Sequence, residues 1–223
     1  MQDLKNAIWR NDSAKRVALW EEVMNCTMQF FDQMTQIGYE DRIGQQNMSY
    51  DIIESIRDKQ NIIVEASVGI GKSYAYLIPL MFYHKITGKP FIVSTSTITL
   101  QEQIEKDIIK LSDLLKIPIE VTIAKGKNNY LCKERLFYIR DKSIKDIFRD
   151  LKEKAYLNDR ANLQNITDDI WNKININECK FKKCSSYYSC DFIKKREIMQ
   201  TSRGAIICNH DLLLEKQKRK MDE

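Results

Sequence analysis

Apolar positions set out two rhythms along the 223-residue chain. Up to about residue 37 they recur at helical spacing, through Ile8, Val17, Leu19, Val23 and the Phe30-Phe31 pair, and Gly38 supplies a stop. A packing helix is expected there. Met48, Ile52, Ile53 and Ile56 fall on one face of a second helix, over about Gln45 to Lys59. Short unbroken apolar runs then take over. Asn61 to Glu65, a run opening at Phe91-Ile92-Val93, Pro118 to Ile123, and Gly204 to Cys208 each read as a buried strand. Between them, Lys72 to about Thr87 and Leu100 to Leu115 read as helices, the first broken by Gly88-Lys89-Pro90. Buried strands alternating with helices predict an α/β fold with a parallel sheet.

From Tyr130 to about Gln200 that rhythm stops. Strand signals vanish, charge density rises, and cysteines sit in loops between helices, so this stretch reads as an insertion into the sheet domain. With 43% apolar and 30% charged residues, one large globular domain, or one domain carrying an insertion, is expected. No apolar run approaches the roughly 18 residues of a membrane span. The first twenty residues lack the apolar core of a secretory signal. A cytoplasmic protein without a membrane partner is expected.

The net charge of +5 is unevenly placed. Lys125 to Arg196 holds 18 basic and 10 acidic residues, and the rest of the chain holds 18 basic and 21 acidic ones. A phosphate backbone suits such a segment, although a solvated lysine-rich face would have the same composition.

Glu65-Ala-Ser-Val-Gly-Ile-Gly-Lys-Ser73 follows the run Ile62-Ile63-Val64 and precedes a predicted helix. A strand that turns through glycines into a helix aims backbone N–H groups at one point, where the helix end adds partial positive charge. Gly69 and Gly71 permit the turn, Lys72 would reach the β and γ phosphates of ATP, and the Ser73 hydroxyl would sit on Mg²⁺. The P-loop pattern G-x-x-x-x-G-K-[ST] has Ala66 in its first place. A small residue there costs little, because that position ends the strand and does not touch phosphate. The bland alternative is a tight turn with a solvated lysine.

Six cysteines are Cys26, Cys132, Cys179, Cys184, Cys190 and Cys208. In a reducing compartment, clustered thiols point to metal or catalysis before disulfides. Cys179-x4-Cys184-x5-Cys190 with the distant Cys132 can supply four thiolates to one centre. Structural zinc favours two tight pairs, which are missing here, whereas iron–sulfur clusters tolerate looser spacing. A 4Fe-4S cluster is the favoured reading, with zinc and unligated buried thiols as alternatives. Cys26 and Cys208 read as small buried hydrophobes.

Together these stretches resemble the N-terminal part of a DinG/XPD-type iron–sulfur superfamily 2 DNA helicase, from about Tyr39 to Leu214. Tyr39-Glu-Asp-Arg42-x-x-Gln45-x-x-Met48 is similar to the family's adenine-reading Q motif, which implicates Arg42 and Gln45. The stretch through Ala66, Ser67, Val68, Gly69, Ile70, Gly71, Lys72 and Ser73 resembles motif I, in which alanine at the first position is usual. Ser67 and Val68 stand where the family often has Gly-Thr. Ser94 to Gln103 resembles motif Ia, which implies single-stranded DNA contacts by Thr95, Thr97, Thr99 and Gln101. Lys125 to Cys132 resembles the entry to the cluster domain, and Asn209-His210 the segment after it.

The resemblance implies ATP, Mg²⁺ and a 4Fe-4S cluster as cofactors. It also implies single-stranded DNA or a forked duplex as partner, 5′ to 3′ movement and a monomer. The expected organisation is a helical segment over 1–38, the first part of a RecA-like domain over 39–129, the cluster domain over 130–200, and a returning strand and following helix over 201–223. Thiolates are expected to hold together a cluster domain too small for a core of its own. No Asp-Glu-Ala-His box is present, and Met221-Asp-Glu223 follows a charged run that suits no buried strand. The sheet is therefore expected to be incomplete at its C-terminal end, with weak nucleotide binding and negligible hydrolysis by these residues alone. A different P-loop enzyme such as a kinase, or a cluster-bearing nucleic-acid binder without motor function, are the competing readings.

Overall fold

The computed structural model describes residues 13–151, 159, 160, 163 and 166–214. These divide into two compact units. One runs up to Val93 with Thr97–Thr122 and Ser202–Ile207; the other comprises Ser94–Ser96, Ile123–Thr201 and the chain from Cys208.

The first unit begins with α1, Ser13–Gln36, on which Leu19, Val23, Phe30 and Phe31 are buried as the periodicity requires. The expected start of this helix, with Ile8, lies outside the described residues, as does Lys218 to Glu223. Helix α2 spans Ile43–Arg57 and α3 spans Lys72–Thr87. The three pack against one another. Trp20 of α1 stacks on Tyr83 of α3 with ring centroids 5.1 Å apart. Helix α3 buries Ala75, Leu77, Ile78, Met81, Phe82 and Ile86, almost all round its circumference, and so forms the centre of the unit. Helix α4, Ile98–Leu115, buries Ile104, Ile108 and Leu111 on one stripe.

Three strands, β1 (Phe91–Thr95), β2 (Val121–Ala124) and β3 (Ala205–Asn209), form a small parallel sheet in the order β1-β3-β2. The last strand in sequence is central, and Ala205, Ile206, Ile207 and Cys208 are all buried. That unbroken run is what a parallel strand covered on both faces demands. Strand β1 alternates instead: Phe91 and Val93 are buried while Ile92 is half exposed.

One expected strand is missing. Asn61 to Glu65 has no strand pairing, and Ile63 is 99% exposed. A strand exists only through a neighbour that takes its N–H and C=O groups. No strand of the β1-β3-β2 ladder pairs with this run, so its apolar side chains face outward.

The second unit is helical: α5 (Lys133–Tyr138), α6 (Lys142–Leu151), α7 (Asp168–Ile174) and α8 (Asp191–Thr201), with single 3₁₀ turns at Lys127–Asn129, Phe181–Lys183 and Tyr187–Ser189. Here the expectation of a coreless domain fails. Leu131, Ile144, Phe148, Leu163, Ile166, Trp171 and Ile174 form a buried apolar cluster. Trp171 donates its indole N–H to the Asn128 carbonyl at 2.8 Å, so the ring is buried without an orphaned donor. A Lys125–Asp159 ion pair at 2.7 Å, largely shielded from solvent, ties the same unit together.

Candidate functional site

Helix α3 leaves the turn Ala66–Gly71 at a sharp angle set by two glycines. Gly69 has φ +88° and Gly71 has φ +85°, a region that costs other residues about 1–2 kcal/mol. The first N–H groups of α3 have no partner within the helix, and its first turn carries no acidic side chain. An anion placed there meets donors and a favourable dipole, with no carboxylate in that turn to compete. Lys72 folds back over the turn, its Nζ donating to the carbonyls of Ala66 at 2.8 Å and Ser67 at 2.9 Å. Ser73 follows in the first helical turn; burial pushes the Tyr76 phenol up, and the neighbouring Ser73 hydroxyl partly offsets it. Val68 is fully exposed at the tip and Ile70 is half buried.

Side chains leading into and on α2 grip this loop. Arg42 donates from Nη1 to the Gly69 carbonyl at 3.1 Å, and Gln45 donates from Nε2 to the Gly71 carbonyl at 2.8 Å. Ser49 donates to the Ala75 carbonyl at 2.7 Å. A Cβ at Gly71 would overlap the Gln45 amide, and one at Gly44 would overlap the Ile70 side chain. Arg42 and Gln45, singled out as base-reading residues, are thus physically joined to the phosphate-loop residues. Sequence reasoning missed that bond, since partners 26 residues apart leave no local signal.

The four polar residues at and beyond the end of β1 are placed differently from one another. Thr97 caps α4, its hydroxyl accepting the Leu100 N–H at 3.2 Å, and Thr99 is exposed. Thr95 is buried, and Gln101 is 1% exposed with an Oε1 that accepts no hydrogen bond. Surface for a phosphate backbone is therefore offered by Thr97 and Thr99. In the second unit, Ser94 Oγ lies 2.9 Å from His210 Nδ1, an exposed pair.

Cys132, Cys179, Cys184 and Cys190 are all free and half buried. Burial pushes the Cys190 thiol up, and nearby Cys179 and Cys132 push it slightly further. Cys184 Sγ contacts Glu134 Oε2 at 3.8 Å. Among the described residues, no group of three or more His, Cys, Asp or Glu is close enough to hold a metal ion. Cys208 is buried in β3, as expected of a small hydrophobe, while Cys26 is half buried.

A family model described as DEAD/DEAH box helicase matches residues 46–166, which takes in the glycine turn, α3, the polar segment after β1 and Cys132. The chain belongs to the DEAD/DEAH box helicase family. Within it, the likeness is to the DinG, YoaA and YpvA helicases. The "3'-5' exonuclease DinG" of Bacillus subtilis (strain 168) is 28% identical over 188 residues, covering 79% of this chain and 20% of that protein. The "Probable ATP-dependent helicase YpvA" of the same organism is 27% identical over 204 residues, covering 83% of the chain and 32% of that protein. The "ATP-dependent DNA helicase YoaA" of Escherichia coli (strain K12) is 28% identical over 191 residues, covering 79% and 29%. The DEAD/DEAH chain described here thus spans a fifth to a third of the length of these curated relatives. No described helix is long and apolar enough to cross a membrane.

Proposed function

We propose that residues 1–223 are the nucleotide-binding portion of an ATP-dependent DNA helicase of the DinG type. The observation that carries this reading is the Ala66–Gly71 turn. Its two left-handed glycines bring the N-terminus of α3, Lys72 and Ser73 together, while Arg42 and Gln45 hold two of its carbonyls. A triphosphate suits this site because the helix N-terminus, the Lys72 ammonium and the Ser73 hydroxyl all sit at the turn, and the first turn of α3 carries no carboxylate. Lys72 turns from the Ala66 and Ser67 carbonyls to the β and γ phosphates, Ser73 ligates Mg²⁺, and Gln45 with Arg42 meets the adenine.

In this reading 39–129 and 201–223 build a RecA-like domain around a cluster domain over 130–200, preceded by the segment 1–38. Cys132, Cys179, Cys184 and Cys190 hold a 4Fe-4S cluster. The thiolate set has the right chemistry for such a cluster. Four iron–thiolate bonds would pin the turns over 179–190 to the start of α5. Thr97 and Thr99 make the single-strand contact, while Thr95 and Gln101, implicated with them by the resemblance, are buried and stand back from it. The whole protein acts as a cytoplasmic monomer moving 5′ to 3′ on single-stranded or forked DNA, and hydrolysis of ATP drives the stepping. Residues 1–223 alone bind nucleotide weakly and hydrolyse it negligibly, because no Asp-Glu-Ala-His sequence among them supplies the carboxylates.

Titration with fluorescent ATP and GTP analogues in Mg²⁺ tests the reading. ATP binding in preference to GTP, with the preference erased in Gln45→Ala, is expected. Equal binding of the two, or a preference independent of Gln45, contradicts it. Protein purified without oxygen is expected to carry iron and visible absorption that Cys190→Ala removes, and an iron-free, colourless product would refute the cluster assignment.

A further inference from the structure

The cysteine-bearing unit carries aromatic side chains that its core does not use. Helix α5 turns Leu136 inward onto the apolar cluster, with Ile139 beside it, and leaves Phe137 and Tyr138 73% and 70% exposed. Those two rings meet edge to face, their centroids 5.1 Å apart. Tyr188 is 91% exposed and stands edge-on to Tyr187 at 5.2 Å. The two aromatic positions belong to elements that touch. Lys133 on α5 donates to the carbonyl of Ser189 at 2.7 Å, and Lys180 pairs with Glu134 of α5 at 3.5 Å. Three rings left in water on bonded elements are costly to solvate, and ordinary amphipathic design would place polar residues there.

The surrounding charge says what kind of partner covers them. Between Glu178 and Arg196 stand six basic and two acidic residues, and Lys180, Lys182 and Lys183 are exposed. Two of the nearby carboxylates are already engaged: Glu134 with Lys180 and Cys184, Asp141 with the Ser143 N–H and hydroxyl. A purely apolar partner would leave the Lys182 and Lys183 ammonium groups without counter-charge at its border. Duplex DNA offers phosphates but keeps its base faces stacked inside. A single strand presents anionic phosphates and unstacked π faces in alternation, and matches both features at once.

We propose that Phe137, Tyr138 and Tyr188 form a base-stacking platform for single-stranded nucleic acid, with Lys182 and Lys183 taking the phosphates. This rests on the nucleic-acid partner of the reading above and deepens it by assigning a contact made to bases, separate from the hydroxyls after β1. Stacking on such rings is sequence-tolerant, so the platform holds a strand without reading it.

The test uses the full chain, fluorescence anisotropy, and two labelled oligomers of equal length, oligo-dT and a fully abasic strand. Wild type is expected to bind oligo-dT more tightly. The double variant Phe137→Ala/Tyr138→Ala loses about tenfold in affinity for oligo-dT. Its affinity for the abasic strand and its salt dependence stay unchanged. Lys182→Ala/Lys183→Ala weakens both oligomers and flattens the dependence on salt. Phe137→Leu/Tyr138→Leu keeps the apolar area without the π face and is expected to lose as much as the alanine pair. Because these side chains are exposed, circular dichroism of each variant is expected to match wild type. Equal wild-type affinity for the two strands overturns the stacking assignment and leaves the nucleic-acid partner standing. So does equal weakening of both by the aromatic variant, or retention by the leucine pair. Wild type that binds neither strand overturns the partner and the platform together.

Discussion

A methyl group added at Gly71 meets two penalties that can be measured separately. The first is conformational: φ +85° and ψ 39° cost an L-residue about 1–2 kcal/mol. Gly69, at φ +88°, carries the same conformational penalty, and a Cβ there meets nothing within 4 Å. The second penalty exists only at Gly71, where the new Cβ overlaps the Gln45 amide. Pushing Gln45 aside breaks its 2.8 Å hydrogen bond to the Gly71 carbonyl, worth about 0.5–1.5 kcal/mol. Gly69→Ala is therefore expected to destabilise the first unit by about 1–2 kcal/mol and Gly71→Ala by about 2–3 kcal/mol. In a Gln45→Ala background the obstruction is gone, so the two alanine substitutions should cost the same. The assay is urea unfolding followed by tryptophan emission in a Trp9→Phe/Trp171→Phe background, which leaves Trp20, stacked on Tyr83, as the reporter of this unit. The double-mutant cycle isolates the coupling between positions 45 and 71. Equal losses at Gly69 and Gly71, or a Gly71→Ala loss that Gln45→Ala does not reduce, would refute the claim that Gln45 braces the loop.

Two further outcomes bear on the second unit. Ile174→Ala empties a fully buried position in the apolar cluster and is expected to cost about 2–5 kcal/mol in urea unfolding, to the same extent with and without an iron chelator. A loss seen only in iron-loaded protein would restore the coreless picture. Burial pushes the Tyr130 phenol up to about 12, with the Asp159 charge adding to it. The folded state thus holds this proton more tightly than the unfolded chain, and the associated stability is complete below pH about 10 and lost as pH rises towards about 12, amounting to about 2–3 kcal/mol. Unfolding free energy measured across that window should fall in wild type and stay flatter in Tyr130→Phe; parallel curves would contradict the assignment.

Much of the first unit was legible because its signals are local. Leu19, Val23, Phe30 and Phe31 repeat at helical spacing and are buried together. The run Ala205 to Cys208 has no polar interruption and becomes the central strand. The glycine turn could be read because Gly69 and Gly71 are dictated by backbone conformation, which the residue type itself reports. Legibility failed where a structure depends on a partner distant in sequence. Ile62-Ile63-Val64 has the composition of a buried strand, yet no strand among the described residues pairs with it. Gln101 carries the chemistry of a phosphate contact, but its place on the buried stripe of α4 withdraws it from the surface. The core around Trp171 was overlooked for another reason. Ile144 and Phe148, and Trp171 and Ile174, keep helical spacing inside a segment dominated by lysines and acids, and charge density masked their period.

The account stands on the grip of the Ala66–Ser73 turn on a nucleotide's phosphates. Isothermal titration of ATP–Mg²⁺ into the full chain tests this most directly, with Lys72→Ala as the comparison. Lys72 is exposed and bonded only to the carbonyls of its own loop, so its loss should leave the fold intact. Saturable binding by wild type, weakened at least about tenfold in Lys72→Ala by loss of one charge-assisted contact, is the predicted result. Wild-type protein that takes up no ATP, or binds it equally well without Lys72, would contradict the account at its base.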